Sequence, residues 1–256
     1  MQIRYTNDEF IPLVAARRIK NGDIIFCGTG PPLLAAIVAK KITAPKAIIF
    51  FETGAIDPSL SEIPLAASDP RTVQGACTIE TLVGSLSMLQ NKKWGAKITA
   101  IIGGAQIDPW GNINSTCIGN YHSPKVRLTG SGGAGDAGAL VGRLMIIMRL
   151  KKGRFVKMLD YITTPGWLGS GRKRGREGLR PGGIDIVITN KCTMKFHPRT
   201  RRIYINTIYP GVRIEEIKEN IEFNIDFKFA KMEKEPSQIE LNTLRKGIDS
   251  QKLALF

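Results

Sequence analysis

Short, almost wholly apolar runs recur along this chain, at Ile24–Cys27, Ala47–Phe51, Ile98–Ile102, Leu144–Met148, Ile184–Ile188 and Ile203–Ile208. A strand with one wet face alternates apolar and polar side chains, whereas a strand covered on both faces need not. The runs therefore predict a mostly parallel sheet with helices as its cover. Val126–Thr129 is a weaker strand candidate. Between the runs, the helix signals are explicit. Thr6-Asn7-Asp8-Glu9 has the spacing of a capping box, apolar residues follow at Phe10, Leu13 and Val14, and Asn21-Gly22 marks a stop. Gly28-Thr29-Gly30 turns the chain out of a strand, and Pro31 suits a first helical position. Leu33, Leu34, Ile37 and Val38 form one face, and Lys40-Lys41 complement the C-terminal end of that helix. Further helices are predicted near Thr78–Gln90, Ile214–Asn220 and Pro236–Lys246.

With 256 residues, no internal repeat and no clean linker, the chain reads as a single α/β domain over 1–256. The expected architecture is doubly wound, with one mostly parallel sheet and helices on both faces. Hydrophobic residues at 43% and charged residues at 23% exclude disordered and collagen-like classes. No apolar run approaches the roughly 18 residues of a membrane span. Met1-Gln2-Ile3-Arg4-Tyr5 lacks the apolar stretch of a signal peptide. Cys27, Cys77, Cys117 and Cys192 show no Cys-x-x-Cys spacing, so they read as free thiols of a cytoplasmic protein, with neither disulfide frame nor metal site. Basic residues outnumber acidic ones by 37 to 22, a net +15. That excess suits a solvated basic surface, an anionic ligand or an acidic partner chain. Zinc-finger spacing and aromatic–basic interleaving are absent, so nucleic acid is not indicated.

In doubly wound sheets the ligand sits outside the carboxyl ends of the strands, and the small residues of this chain gather where strands are expected to end. Gly28-Thr29-Gly30 offers backbone N–H groups to an anion, although any tight strand-to-helix turn can use such a sequence. Glu52 follows Ile48-Ile49-Phe50-Phe51 directly and precedes Thr53-Gly54. It is either a cap or ion-pair partner beside the sheet, or a nucleophile at its mouth. An ordinary glutamate titrates near 4.3 and is ionised at neutral pH, so it can attack an activated carbonyl. Gly103 and Gly104 open a segment rich in amides and small residues, in which Gln106 and Asn114 are candidate donors to a carboxylate or amide. Asp108-Pro109-Trp110-Gly111-Asn112 within it has the composition of a turn. Thr129-Gly130-Ser131-Gly132-Gly133 is a second glycine loop, either a nest for an oxyanion or a flexible turn.

Taken in order, these motifs resemble the B subunits of family I CoA-transferases, the glutaconate type in particular. The resemblance rests on Glu52-Thr53-Gly54, Gly103-Gly104-Ala105-Gln106-Ile107-Asp108 and Thr129-Gly130-Ser131-Gly132-Gly133. It extends over Tyr5-Thr6-Asn7, Ile19-Lys20-Asn21-Gly22, Gly28-Thr29-Gly30, Asp160–Trp167 and the ending around Ile248-Asp249.

The resemblance implies the α/β sandwich of that family and a mechanism. Glu52 matches the family's nucleophile, which attacks the thioester of an acyl-CoA. The resulting acyl-glutamyl anhydride is opened by CoA thiolate, leaving a glutamyl-CoA thioester that a second carboxylic acid resolves. Thioester and anhydride are both activated, so no ATP, metal or bound cofactor is implied; coenzyme A is a substrate. Water must be excluded, because either intermediate would hydrolyse. Two backbone amides hold the oxyanions in the family, and the matching positions are around Thr29 and Gly132-Gly133. The candidate binding set is thus Gly28, Thr29, Gly30, Gly103, Gly104, Gln106, Asn114, Gly130, Gly132 and Gly133. An A-type chain is implied as partner, in a heterodimer or a larger heteromer such as α2β2.

Thr53 departs from the serine or asparagine usual there. Gly169–Arg176 is unusually basic, which suits CoA phosphates, the partner chain or solvent. His122 and His197 lie in no catalytic motif, and Trp110 and Trp167 read as packing residues. An acyl-CoA hydrolase and a non-catalytic CoA- or acid-binding sensor remain alternatives on the same scaffold.

Overall fold

In the computed structural model, residues 4–169 and 171–249 are described. Met1–Ile3 of the chain's start and Ser170 of the basic stretch fall outside them. The elements run α1 (Asn7–Ala16), β1 (Ile24–Cys27), α2 (Pro31–Ile42), β2 (Ile48–Phe50), β3 (Ala55–Ile56), β4 (Thr78–Ile79), α3 (Leu82–Gln90) and β5 (Ile98–Ile102). They continue with β6 (Gln106–Ile107), β7 (Ile113–Asn114), β8 (Cys117–Gly119), β9 (Pro124–Arg127), α4 (Ala134–Leu140), β10 (Arg143–Ile147) and α5 (Gly171–Arg176). The last are β11 (Ile184–Ile188), β12 (Cys192–Phe196), β13 (Ile203–Ile208), α6 (Ile214–Lys218), β14 (Lys231–Met232) and α7 (Gln238–Gly247). The α/β class predicted from the apolar runs is the class observed. The chain divides into two compact units, residues up to 102 together with those from 235, and residues 103–234.

In the first unit β1 is flanked by parallel neighbours, with Ile24 beside Ile48 of β2 and Ile98 of β5. Ile25, Phe26, Ile49, Phe50, Ala100 and Ile101 are buried, as expected of strands covered on both faces. Beyond β2 the pairing turns antiparallel through β3 and β4. Helix α1 begins where the capping box predicts, with Thr6 and Glu9 exchanging hydrogen bonds, but it ends at Ala16, short of Asn21-Gly22. Thr78–Ile79, expected to be helical, is an exposed edge strand, and the helix starts at Leu82 under a Thr81 cap.

The N- and C-terminal helices of this unit are joined by paired ions. Arg17 holds Glu240 through both carboxylate oxygens, at 2.7 and 2.9 Å. Arg245 holds Glu9 in the same way, at 2.5 and 2.9 Å. Such forked pairs fix geometry as well as charge.

In the second unit β10 and β11 are parallel, and β11, β12 and β13 are antiparallel. Strand β12 falls outside the wholly apolar runs, because Thr193 and Lys195 alternate with Cys192, Met194 and Phe196. The Thr193 hydroxyl is nevertheless buried and lies 2.7 Å from that of Thr207 across the ladder. Among the described residues no helix is long and apolar enough to cross a membrane.

Candidate functional site

Glu52 is placed by the register of β1 and β2. Phe26 stands beside Phe50, so Gly28 and Glu52 each lie two residues beyond the last matched pair. Adjacent strands are about 4.8 Å apart, which brings the Gly28-Thr29-Gly30 turn and Glu52 to one height at the carboxyl edge of the first unit. On the other side of β1, the Gly28 N–H donates to Ile101 O at 3.4 Å.

The backbone around Glu52 is closely held. The buried Ser85 hydroxyl donates to the Glu52 carbonyl. Gly54 N donates to Phe51 O at 3.0 Å, and Glu80 N donates to Gly54 O at 2.9 Å. Gly54 has φ +106°, and a Cβ there would lie 1.8 Å from the Glu80 carbonyl oxygen. Only glycine fits both constraints. Glu52 itself is half-buried, between the fully buried Phe51 and the equally half-buried Thr53. The Thr53 Oγ1 is buried with no hydrogen-bond partner among the described residues. Ser85 carries no sequence signal, because its role depends on a hydroxyl brought in from α3.

The Gly28–Gly30 turn leads into α2 through Gly30, whose φ is +75°. Pro31 and Pro32 contribute no N–H to the first turn of that helix. The loop offers a donor of its own, the Thr29 N–H, which has no hydrogen bond among the described residues. Cys27 is the nearest thiol to the turn in sequence. Burial pushes it up to about 12, so it stays protonated and does not compete as a nucleophile.

The other residues singled out from sequence belong to the second unit. A Cβ on Gly104 would meet Ile113 Cγ2 at 2.5 Å. Gln106 and Asn114 face each other across the β6–β7 hairpin. Asn114 Nδ2 donates to Gln106 Oε1 at 3.0 Å and to Cys117 O at 2.6 Å, and its Oδ1 accepts from Thr116 N and Cys117 N. Gln106 Nε2 donates to Gly153 O at 3.2 Å. Both side chains are at least nine-tenths buried, so the amides expected to face a ligand hold the hairpin together.

The Asp108–Asn112 turn is similarly tied. Asp108 accepts from Trp110 N, Asn112 N and Asn112 Nδ2 at 2.9, 3.0 and 2.7 Å. Burial raises its pKa despite these donors. Asn112 Oδ1 then accepts from Gly166 N and Leu168 N, which fixes the Thr163-Thr164-Pro165-Gly166-Trp167 segment against the turn. Gly130 N donates to Ser115 O at 2.8 Å, anchoring the second glycine loop to this hairpin. Gly130 and Gly132 have φ +91° and +47°. Gly132 is exposed and its N–H has no hydrogen bond among the described residues, while Gly133 is buried and is the N-cap of α4.

His197 Nδ1 accepts from Arg199 N and Thr200 N, a turn-capping role. His122 is exposed beside the Tyr121 ring. No group of three or more His, Cys, Asp or Glu side chains among the described residues is placed to hold a metal ion.

Residues 12–220 match the family described as Coenzyme A transferase. The B subunit of glutaconate CoA-transferase of Acidaminococcus fermentans is 39% identical over 249 residues, covering 96% of this chain and 93% of that protein. The B subunit of 3-oxoadipate CoA-transferase of Pseudomonas knackmussii is 34% identical over 245 residues, covering 94% and 92%. The crystal structure of glutaconate coenzyme A-transferase from Acidaminococcus fermentans superimposes with a TM-score of 0.94 at 37% identity, covering 99% of this chain and 98% of that one.

Proposed function

The chain belongs to the Coenzyme A transferase family, and from that premise we propose that it is the B subunit of an enzyme that moves CoA between an acyl-CoA and a carboxylic acid. The observation that carries the reading is Glu52 at the carboxyl edge, level with a glycine turn and held by its own backbone. A covalent nucleophile needs a fixed origin and an accessible carboxylate, because near-attack distances hold only to about 3–3.5 Å.

The reaction runs through Glu52. One carboxylate oxygen forms a bond to the thioester carbonyl carbon, and the C–S bond breaks to release CoA thiolate. The thiolate then attacks the glutamyl carbonyl of the mixed anhydride. That releases the first acid as its carboxylate and leaves CoA on Glu52. An incoming carboxylate repeats the two steps in reverse. Each attack creates an oxyanion, and a lost backbone donor for such a charge costs about 3 kcal/mol of barrier. We assign the donors to the Thr29 N–H and to Gly132–Gly133. The second assignment is carried by the likeness of the Thr129–Gly133 loop to the family's motif. Gly103, Gly104, Gln106, Asn114 and Gly130 shape the loops that carry these groups. The chain acts with an A-type partner, as the names of its relatives imply.

The test is co-expression with an A-type chain followed by an acceptor screen with acetyl-CoA. Dicarboxylates come first, since the similar enzymes are named for glutaconate and 3-oxoadipate. Acetyl-CoA consumption that requires a carboxylate acceptor supports the reading. Consumption at the same rate without acceptor would make the protein a hydrolase, and no consumption with any acceptor would leave only a binding role.

A further inference from the structure

We propose that a cavity bounded by Trp167, Arg180, Gly182 and Arg201 is a binding site for a phosphate-bearing anion. The cavity has a volume of about 230 Å³, and its lining holds three arginines, Arg174, Arg180 and Arg201, and no carboxylate.

The arginines have different roles. Arg174 is 2% exposed. Its guanidinium donates to the carbonyl oxygens of Arg180, Pro165, Gly166, Gly138 and Ala139. These contacts use its five donors and meet its charge with carbonyl dipoles alone. It builds the wall and leaves a positive field in the cavity. Arg201 is placed to make contact. Its guanidinium carbon lies 4.0 Å from the centre of the Trp167 ring. Trp167 is itself fixed by its backbone N–H on Trp110 O and its indole N–H on Ile184 O. Among the described residues the Arg201 side chain has its ring contact with Trp167 and no hydrogen bond or ion pair. Stacking thus orients a planar fork whose donors remain available, the geometry that suits bidentate recognition of an oxyanion.

The backbone supports the same conclusion. Three non-glycine residues have positive φ among the described residues: Asp57, Leu168 and Arg201. Arg201 lines this cavity, and Leu168 adjoins its Trp167 in the chain. Leu168, at +51°, follows the tryptophan of the stack, and Arg201, at +58°, carries its guanidinium. Such conformations lower stability and persist where the surroundings over-determine them, often at ligand sites. Two cationic charges without a counter-ion among the described residues, Arg174 and Arg201, match a doubly charged anion. A phosphate monoester or pyrophosphate has that charge, and coenzyme A carries both kinds of group.

Only the source of the phosphate rests on the CoA-transferase reading. It is either CoA itself or a separate phosphorylated compound, and binding measured without turnover separates the two questions. The experiment is a calorimetric titration of the full chain, with its co-expressed partner, using inorganic phosphate, CoA and dephospho-CoA at fixed salt. The variants are Arg201→Asn and, as a control, Arg199→Asn, which removes an exposed charge from the same turn. Asparagine tolerates positive φ, so Arg201→Asn should melt no lower than wild type, and misfolding would not account for lost binding. The expected result is at least a tenfold loss of affinity for inorganic phosphate or CoA in Arg201→Asn and none in Arg199→Asn. A loss for CoA with a raised KM and unchanged kcat identifies the substrate's own phosphates. A loss for inorganic phosphate alone identifies a separate compound. Unchanged affinity for both ligands in Arg201→Asn, or an equal loss in Arg199→Asn, would overturn the proposal, whether or not the complex turns over.

Discussion

Glu52 and Asp108 both follow short buried strands, and both sit in loops that glycine makes possible, yet the chain fixes them in opposite ways. Asp108 is 6% exposed and held by its carboxylate, which accepts two backbone N–H groups and the Asn112 amide. Glu52 is half-buried and held through its main chain, by Ser85 on its carbonyl and by the Gly54–Glu80 approach beside it. A carboxylate surrounded by donors stabilises a turn and is a poor nucleophile, since its lone pairs are engaged. One anchored by its backbone has the origin of its side chain fixed, as a covalent nucleophile requires. The contrast separates an acid that serves the fold from one that we propose serves the reaction.

The largest effect should come from Glu52→Gln. We expect transfer to fall by on the order of 10⁴-fold or more, as for other covalent nucleophiles, with a melting curve like the wild type's. Steady-state acceptor-dependent transfer checks it, and wild-type turnover would dissolve the contrast. Next is Gly54→Ala, which forces a Cβ against the Glu80 carbonyl and should displace Glu52. A shift of about 1 Å costs roughly 10²-fold, so activity per folded molecule should fall by that order. Asp108→Ala should do the reverse. It leaves buried donors unpaired and should cost roughly 2–3 kcal/mol of stability in urea titrations, with activity per folded molecule nearly unchanged.

The smallest effect concerns acids that are neither catalytic nor buried in a turn. Burial alone would raise Glu240, but the Arg17 fork and the Ser237 cap together hold it down to about 2, from an ordinary 4.5. Glu9 is lowered chiefly by Arg245. A depressed folded value stabilises the protein above the unfolded value, and that stability is lost as pH falls through the folded one. For Glu240, stability should therefore decline between about pH 4.5 and 2 by roughly 1 kcal/mol, discounted for solvent exposure, and Glu9 should add to the decline as pH falls below its ordinary value. Arg17→Gln should flatten that decline in urea midpoints measured against pH.

The same contrast explains what is legible without the structure. The apolar runs place β1, β5 and β11 at their observed bounds, because burial on both faces leaves a composition signal, and β13 is found at its bounds although it alternates buried and half-buried positions. Glu52 is visible because a lone charge at the end of such a run is conspicuous. Gln106 and Asn114 read as donors facing a ligand, since composition shows an amide but not its partner; Cys117 O and Gly153 O meet these amides only in the folded chain. Edge strand β4 carries no burial signal, and so it merges in sequence with the helix that follows it. Arg174 lies in a stretch that reads as solvated, yet five carbonyls from separate segments enclose it.

The covalent role of Glu52 is tested most directly by trapping. The complex is incubated with acyl-CoA in the absence of acceptor, then treated with borohydride, which reduces an activated glutamyl thioester but not a free carboxylate. Peptide mass analysis should show the Glu52 peptide modified only when acyl-CoA was present, with loss of transfer in proportion. A fully active complex whose Glu52 peptide stays unmodified under those conditions would contradict that role.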